Sequence, residues 1–521
     1  MKPIEQTERG IACSKFFVIP QRAIAAIMGF FAVVTGYTQR QGLSMAITQM
    51  VVPRNKSSST DSIICPEDDS GTQDGGGGGG GGGGTYNWTE EEQGRTLSFF
   101  YLGYLVSHIP GGMMSDRFGF KWILNGGLIC SVITTILVPV TVHLTEHIGL
   151  TVLRVIQGLA QGFLFPSLSV LVSHWVPKHE RSILGAFVMG GGLIGNVMLF
   201  AFAGLILHSY EWPWVFYTFG IVGAIWCLTF ALLCYNDPVT HPFIKPAERE
   251  YLVEQIGGHF NRTDLPPVPW AAIFTSSKVY ALIIAQVGHD WGFYIMSTYL
   301  PKYYNDVLNI NIKSNGFFAT FPFIAMWISA VAQGFIADYL IRKNYLSITN
   351  VRKLIGTIAK IMPGIFLILA SYAGCYKPLV IFFFTLALFT MGGFYASVKL
   401  TPIDLSPNYS GTIMAICNGS GAITGWVSPY LVGVMTPNAT LEEWRGVFWL
   451  AFFVLLVTAV PYCIWESGEV QEWNDPNVYN ENKRARKESK RQEKEAKKEA
   501  KRLEKEAKRL EKEAKSQQKQ G

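Results

Sequence analysis

The feature that most constrains this chain is the recurrence of apolar runs long enough to cross a bilayer, which takes about 20 helical residues each. They fall near 23–50, 95–115, 121–142, 148–175, 182–207 and 213–235, then near 278–300, 315–337, 353–374, 377–399, 411–436 and 445–466. These are spans 1 to 12. A polar stretch rich in Pro and charge, 236–277, separates two sets of six. The expected fold class is an all-α membrane protein, with twelve transmembrane helices in two pseudo-repeated six-helix bundles. Composition agrees: 49% of the 521 residues are hydrophobic and 16% charged, against about 25% charged in ordinary soluble domains.

The formal net charge of +6 is unevenly placed. Residues 481–521 hold 17 of the 44 Lys+Arg and 9 of the 38 Asp+Glu, so the remaining chain carries 27 basic against 29 acidic residues. The basic character belongs to a tail, and the chain as a whole has no polyanion-binding signature. No nucleic-acid partner is expected. The first 20 residues lack a signal-peptide core and cleavage site, so span 1 is expected to stay as a membrane anchor.

Lys and Arg in short loops set orientation. With the N-terminus cytoplasmic, the inner loops carry Arg117, Lys121, Lys178, Arg181, Arg342, Lys343, Arg352 and Lys353. The outer loops near 143–148, 208–212 and 436–444 carry no Lys or Arg, although Lys302 and Lys313 run against the rule. The expected organisation is a cytoplasmic N-terminus (1–22), an N-terminal bundle (23–235), a cytoplasmic linker (236–277), a C-terminal bundle (278–466) and a cytoplasmic basic tail (467–521). Outer loop 53–94 contains an unbroken glycine run, 75–84, flanked by sequons at Asn55 and Asn87. These two, with Asn438 in the last outer loop, are the expected glycosylation sites. The glycine run reads as a flexible linker.

Eight scattered cysteines form no CxxC pair and no paired framework, so neither zinc nor a disulfide scaffold is expected. A Cys65–Cys375 bridge on the outer side is conceivable, but the expectation is against it. In the tail, Ala500, Leu503, Ala507, Leu510 and Ala514 mark a 3,4 seam, but two leucines are few for a coiled coil. A solvated single helix is the expected form.

Internal repetition is informative. Gly112-Met-Met-Ser-Asp116 follows span 2, and Gly334-Phe-Ile-Ala-Asp338 follows span 8, 222 residues later. Glu211-Trp-Pro-Trp-Val-Phe-Tyr217 opens span 6, and Glu443-Trp-Arg-Gly-Val-Phe-Trp449 opens span 12, 232 residues on. Two matches at nearly one offset imply two parallel halves, a transporter architecture with its site where the halves meet.

Ionisable groups inside membrane helices are costly, so each is a candidate site residue. In span 1, Tyr37, Arg40, Ser44 and Thr48 share a face. In span 4, Arg154, Gln157 and Gln161 form a second polar stripe. Span 7 adds Gln286, His289, Asp290 and Tyr294. Arginine suits an anion because its planar donors bind carboxylate or phosphate bidentately and it does not deprotonate. Arg40 and Arg154 are the principal anion-binding candidates, and His289, Tyr37, Ser44, Gln157 and Gln161 are supporting contacts. Asp290 is a candidate cation ligand, and His108 reads as structural. Gly111, Gly112, Asp116, Arg117, Gly119 and Lys121 form a tight loop whose charges can clamp neighbouring helix ends. Gly185, Gly190, Gly191, Gly192 and Gly195 in span 5 permit close packing. There is no nucleophile–base set, metal cluster or phosphate loop, so an enzyme and an ATP-driven pump are both disfavoured.

Several runs jointly resemble the major facilitator superfamily, and within it the anion:cation symporters of solute-carrier family 17, over about 22–475. They are Arg40-Gln-Gly-Leu-Ser-Met-Ala, Gly111-Gly-Met-Met-Ser-Asp-Arg and Arg154-Val-Ile-Gln-Gly-Leu-Ala-Gln-Gly. Trp175-Val-Pro-Lys-His-Glu-Arg-Ser182, Asp404-Leu-Ser-Pro-Asn-Tyr-Ser-Gly and Ser467-Gly-Glu-Val-Gln-Glu-Trp complete the set. Lys399-Leu-Thr-Pro-Ile-Asp404 resembles insect members labelled as inorganic phosphate cotransporters. The resemblance implies alternating access, with Arg40 and Arg154 helping to bind an anion. Proton-coupled branches place an acid where Gln161 stands, and sialin-like members another at Gln157. The vesicular glutamate branch has arginine at His289. The glutamines here resemble the sodium–phosphate branch.

The expected function is a secondary active anion transporter performing sodium-coupled symport of inorganic phosphate, in the plasma membrane. It needs no cofactor. Na+ is the expected coupling ion, a small anion and the lipid bilayer are the partners, and the chain is expected to act as a monomer. The alternative is a transporter of an organic anion (urate, sialate or an acidic amino acid) in vesicles or lysosomes. An alternative of another class is a non-transporting scaffold or receptor acting through the basic tail.

Overall fold

A computed structural model describes residues 19–51, 85–88, 90–256, 267–308, 310, 312–436 and 440–517. Among the described residues the secondary structure is helical, with one isolated bridge between Val51 and Tyr86. The N-terminal half contains α1 (Gln21–Met50), α2 (Glu90–Phe118), α3 (Phe120–Gln161), α4 (Leu164–Trp175), α5 (Arg181–Met189), α6 (Gly191–Ser209) and α7 (Pro213–Leu233). The linker carries α8 (Pro246–Ile256) and α9 (Trp270–Ile273). The C-terminal half contains α10 (Ser277–Asp306), α11 (Ile312–Arg342), α12 (Ile348–Tyr372), α13 (Lys377–Met391), α14 (Gly393–Ala396), α15 (Thr401–Leu405), α16 (Ser410–Met435) and α17 (Leu441–Trp465).

Helix coincides with each of the twelve expected spans. Among the described residues seven helical stretches are long and apolar enough to cross a membrane by length and composition: Phe120–Trp175, Arg181–Leu207, Pro213–Leu233, Phe318–Arg342, Ile348–Tyr372, Lys377–Leu405 and Leu441–Trp465. The first runs for 56 residues and breaks at Glu146, where φ is 50° and ψ −136°, so it accounts for spans 3 and 4 together. α1, α2, α10 and α16 are 26–30 residues long. They are less apolar because they carry the polar groups that face the interior, described below. Outward-facing Trp122, Leu228 and Val457 are each 65% exposed, an apolar exterior suited to hydrocarbon rather than water.

The duplication is visible in the packing. Trp212 and Trp444 are both buried, and each ring lies beside that of the Phe four residues on, Phe216 at 6.0 Å and Phe448 at 5.9 Å. Each pair anchors the core of its own half. The linker is tied to the N-terminal half through Glu248 on α8, whose carboxylate accepts from the first amides of α1, Gln21 at 3.0 Å and Arg22 at 3.1 Å. An acidic side chain there offsets the unpaired N–H groups of a helix start.

Two expectations meet the structure here. Cys375, just before α13, is disulfide-bonded, against the expectation of unpaired cysteines. Cys65, the partner weighed from the sequence, lies outside the described residues, while Cys130, Cys227, Cys234, Cys417 and Cys463 are free. Asn87 is exposed, whereas Asn55 and Asn438 lie outside the described residues.

A second unit begins at Gln471. It is a short 3-10 turn, Glu472–Asn474, followed by α18 (Pro476–Gln517). Exposed pairs one turn apart, Arg491–Glu495 and Lys497–Glu493, run along α18, and Leu503 of the seam is exposed.

Candidate functional site

A narrow cavity opens between the halves, with ≈ 20 Å³ available to the centre of a water-sized sphere, room for one or two waters. From the N-terminal half it is lined by Tyr37, Arg40, Tyr104 and Phe165, and from the C-terminal half by His289, Asp290, Phe293, Tyr294, Phe394, Tyr395, Lys399 and Asn418. Span 1's polar face thus meets span 7's across the duplication axis, as the repeats require.

Arg40 is the central cation. Its guanidinium carbon lies 4.5 Å from the ring centroid of Tyr101, 4.9 Å from Phe100 and 5.5 Å from Tyr37 and Tyr104. Among the described residues the guanidinium makes no hydrogen bond and no ion pair. Aromatic faces attract a cation, but they satisfy none of its N–H donors. Arg40 is buried, and its strongest bonding capacity is open to an anion. Tyr37 fits because of glycine: a Cβ at Gly192 would come within 2.7 Å of its ring, and one at Gly195 within 2.9 Å of its Cβ. The span 5 glycines therefore make room for a cavity side chain as well as for close helix contact.

On the other side, Gln286 Nε2 donates to Asp290 at 2.8 Å. Asn418 joins the halves. Its amide donates to Tyr104 Oη at 2.9 Å and lies 2.9 Å from His108 Nε2, while its carbonyl oxygen accepts from Lys399 Nζ. His289 stacks on Phe394 with ring centroids 3.4 Å apart, and its buried Nδ1 has no hydrogen-bond partner among the described residues.

The expected residues divide sharply. Arg40, Tyr37, His289 and Asp290 come together in the cavity. Arg154, Gln157 and Gln161 do not. Arg154 Nη1 donates to the Arg40 carbonyl at 2.9 Å and to Gln157 Oε1 at 2.8 Å. Gln157 donates to Thr135 Oγ1 at 2.9 Å, and Gln161 to Ser131 Oγ at 2.8 Å. The span 4 stripe therefore faces the interior of the N-terminal half, where Arg154 braces the backbone that carries Arg40. Ser44 donates to the carbonyl of Gln41 at 2.6 Å, within its own helix, and the side chain of Thr48 lies outside the described residues.

Sequence reasoning missed Lys399 and Asn418 as site residues; His108, read as structural, lies outside the cavity lining and meets Asn418. For Lys399 the signal existed, because it is an ionisable residue in an apolar run. Ending span 10 at 399 placed it at the membrane surface. The helix is in fact interrupted between α14 and α15, with Ser397 at φ −126° and ψ −93°, and the unwound backbone puts Lys399 inside. Broken helices of this kind are tolerated where they line a cavity.

The halves are also fastened at the face that bears the linker. Asp116 accepts from Gly411 N at 2.9 Å, Thr412 N at 2.7 Å and Thr412 Oγ1 at 2.6 Å, at the start of α16. Its repeat partner Asp338 accepts from Ser182 N at 3.0 Å and Ile183 N at 2.7 Å, at the start of α5. Each carboxylate thus caps a helix of the opposite half, where the positive end of the helix dipole favours it. Between these caps Asp404 pairs with Arg181 at 3.0 Å across the halves and with Arg352 at 2.9 Å within its own, all three side chains buried. Gly112 permits the approach, since a Cβ there would lie 2.5 Å from the Gly411 carbonyl oxygen. Gly119 has φ 84°, which only glycine adopts freely. Arg117, expected in the clamp, is instead exposed beside Phe118. Lys121 packs its ammonium 3.8 Å from the Tyr235 ring centroid.

Two helical halves, duplicated caps and a polar cavity between them define a membrane transporter, and the comparisons agree. Residues 29–429 match the Major Facilitator Superfamily. A Drosophila ananassae protein named "Putative inorganic phosphate cotransporter" is 34% identical over 409 residues, covering 77% of this chain and 84% of that protein. Human Sialin is 32% identical over 454 residues, covering 87% and 90%. The proton:xylose symporter XylE of the same superfamily, bound to 6-bromo-6-deoxy-D-glucose, shares the fold at a TM-score of 0.64 and 13% identity, covering 88% of this chain and 98% of that one. The chain belongs to the major facilitator superfamily, on its anion:cation symporter (solute-carrier family 17) branch, and is an integral multi-pass membrane protein.

Proposed function

We propose that this protein is a secondary active anion transporter working by alternating access, and that it couples inward movement of inorganic phosphate to sodium at the plasma membrane. The observation that carries the reading is Arg40, a buried guanidinium in the cavity between the halves with no protein acceptor among the described residues. Desolvating a cation is costly unless its charge is met, and an oxyanion meets it with bidentate hydrogen bonds. Asp290, 9% exposed and in the same cavity, supplies a carboxylate for Na+, a hard cation that prefers oxygen. Gln157 and Gln161 cannot carry a proton through span 4. The name of the Drosophila relative supports phosphate as the cargo.

Uptake of radiolabelled phosphate into cells expressing the chain tests the proposal. Uptake above that of mock cells, lost when choline replaces sodium, supports it. Uptake indifferent to choline refutes the sodium coupling, and full uptake by Arg40→Gln refutes the site. The similarity to human Sialin favours a second reading, an organic-anion transporter of vesicles or lysosomes. Competition of phosphate uptake by sialate, urate and glutamate separates the two.

A further inference from the structure

Lys399 is not needed by the reading above, yet it occupies the same cavity as Arg40 from the opposite half. We propose that Lys399 is the C-terminal half's ligand for the transported anion, which is held between one cation from each half. The inference rests on the anion-transport reading and adds to it the residue that lets the bound anion bridge the halves.

Three charged side chains line the cavity, Arg40, Lys399 and Asp290. All three are buried, and among the described residues none is in an ion pair. Two cations and one carboxylate therefore share a narrow space without direct pairing. That arrangement is costly for a purely structural purpose, because a buried ammonium is stable only when paired and hydrogen-bonded. Lys399 donates to the neutral carbonyl oxygen of Asn418 and lies 4.5 Å from the Phe165 ring centroid and 5.5 Å from that of Phe394. An ammonium has three donors, and this bond uses one.

The Lys399 ammonium touches the opposite half at the Phe165 ring, but an aromatic face accepts none of its N–H donors in a full hydrogen bond. A structural strut therefore explains Lys399 poorly. Asn418 belongs to the same half, so the Lys399–Asn418 bond does not tie the halves together. The contacts of Asn418 with Tyr104 and His108 do that through its amide, and they do not need the lysine. They do connect the two cations, since the Tyr104 ring that meets Asn418 also lies 5.5 Å from the Arg40 guanidinium. With Asp290 ionised the lining carries one excess positive charge, which suits an oxyanion. A second negative charge on the cargo is then balanced by a cation at Asp290. A ligand touching Arg40 on one half and Lys399 on the other binds best when the halves are closed around it, and this is how occupancy biases a two-state transporter.

The test uses the full chain, with uptake kinetics of radiolabelled phosphate and of labelled sialate, urate and glutamate in parallel, corrected for transporter at the membrane. Lys399→Gln is expected to raise the KM of the carried anion by about tenfold or more, the scale of one lost charge-assisted hydrogen bond. Vmax per transporter should change far less, and Lys399→Arg should restore most of the affinity. Lys399→Met keeps a long side chain of similar volume while removing the ammonium, and it leaves Asp290 and Arg40 in place. It decides the matter if Lys399→Gln alone fails to reach the membrane, and it should show the same rise in KM. A KM unchanged in either variant overturns the role of Lys399 while leaving anion transport standing. A wild-type chain that carries none of the four anions overturns both readings. Which labelled anion the wild type carries identifies phosphate or carboxylate as the oxyanion held.

Discussion

Arg181 bridges the two halves at the linker-bearing face, and its removal gives a graded prediction. In Arg181→Gln, Asp404 loses its partner at 3.0 Å across the halves but keeps Arg352 at 2.9 Å, so no carboxylate is left stranded. The loss is then one charge-assisted hydrogen bond, about 1.5–3 kcal/mol. This bond exists only while this face is closed, so the closed-to-open ratio should fall by roughly 10- to 150-fold. Asp404→Asn is harsher. It leaves two buried guanidinium groups short of charge, on the scale of about 3–5 kcal/mol. Ser410 at the start of α16 is fully buried in the closed arrangement, so Ser410→Cys reports opening. A membrane-impermeant thiol reagent applied to the linker-bearing face should label this cysteine faster in Arg181→Gln, and faster still in Asp404→Asn, over the background of a chain lacking it. Equal labelling in all three would refute the view that this ion pair holds the face closed, and the reverse order would refute the ranking of the two losses.

Further outcomes follow from individual contacts. Gly192→Val should displace the Tyr37 ring, which a Cβ would approach to 2.7 Å. It should cost about 1–3 kcal/mol of stability, measurable as a lower melting temperature of the purified protein together with a raised KM for the carried anion. Arg154→Gln removes the brace on the Arg40 carbonyl. Anion uptake should fall by about tenfold, with Arg154→Lys intermediate, and full uptake in the glutamine variant would exclude the bracing role. His241 in the linker accepts from Phe243 N at 3.1 Å and lies 3.3 Å from the Leu233 carbonyl. Burial, helped by nearby Lys121 and opposed by the Leu233 carbonyl, pushes this imidazole down to about 4 from 6.5. The unfolded chain therefore binds the extra proton first, and stability should decline as pH falls from about 6.5 toward 4. His241→Gln should flatten that part of a melting-temperature profile.

Much of the candidate site could be read from residue types alone. Arg40, His289 and Asp290 were marked by one rule, that an ionisable group in an apolar helix needs a reason to be there. The same rule marks Arg154 for the cavity, but its partners lie inside the N-terminal half. In a bundle every face of an interior helix is buried, so a polar stripe shows that a polar partner exists without showing which helix supplies it. For Arg154, Gln157 and Gln161 the partners were Thr135, Ser131 and the Arg40 carbonyl, not the cavity.

What the chain's order of residues determined by itself was local or repetitive. Apolar run lengths set the succession of helices, and the repeated Gly–Asp and Glu–Trp segments set the duplication, because both depend on short-range chemistry copied along the chain. Tertiary structure alone decided that Lys399 faces the cavity. That placement depends on the interruption between α14 and α15 and on the close approach of α16, which carries Asn418 within reach. It also decided that Asp116 and Asp338 cap helices of the opposite half, since each carboxylate finds its donors 296 and 156 residues away at most. Contacts between distant segments arise only when the two halves close on each other, and no pattern within one span encodes the partner it will meet.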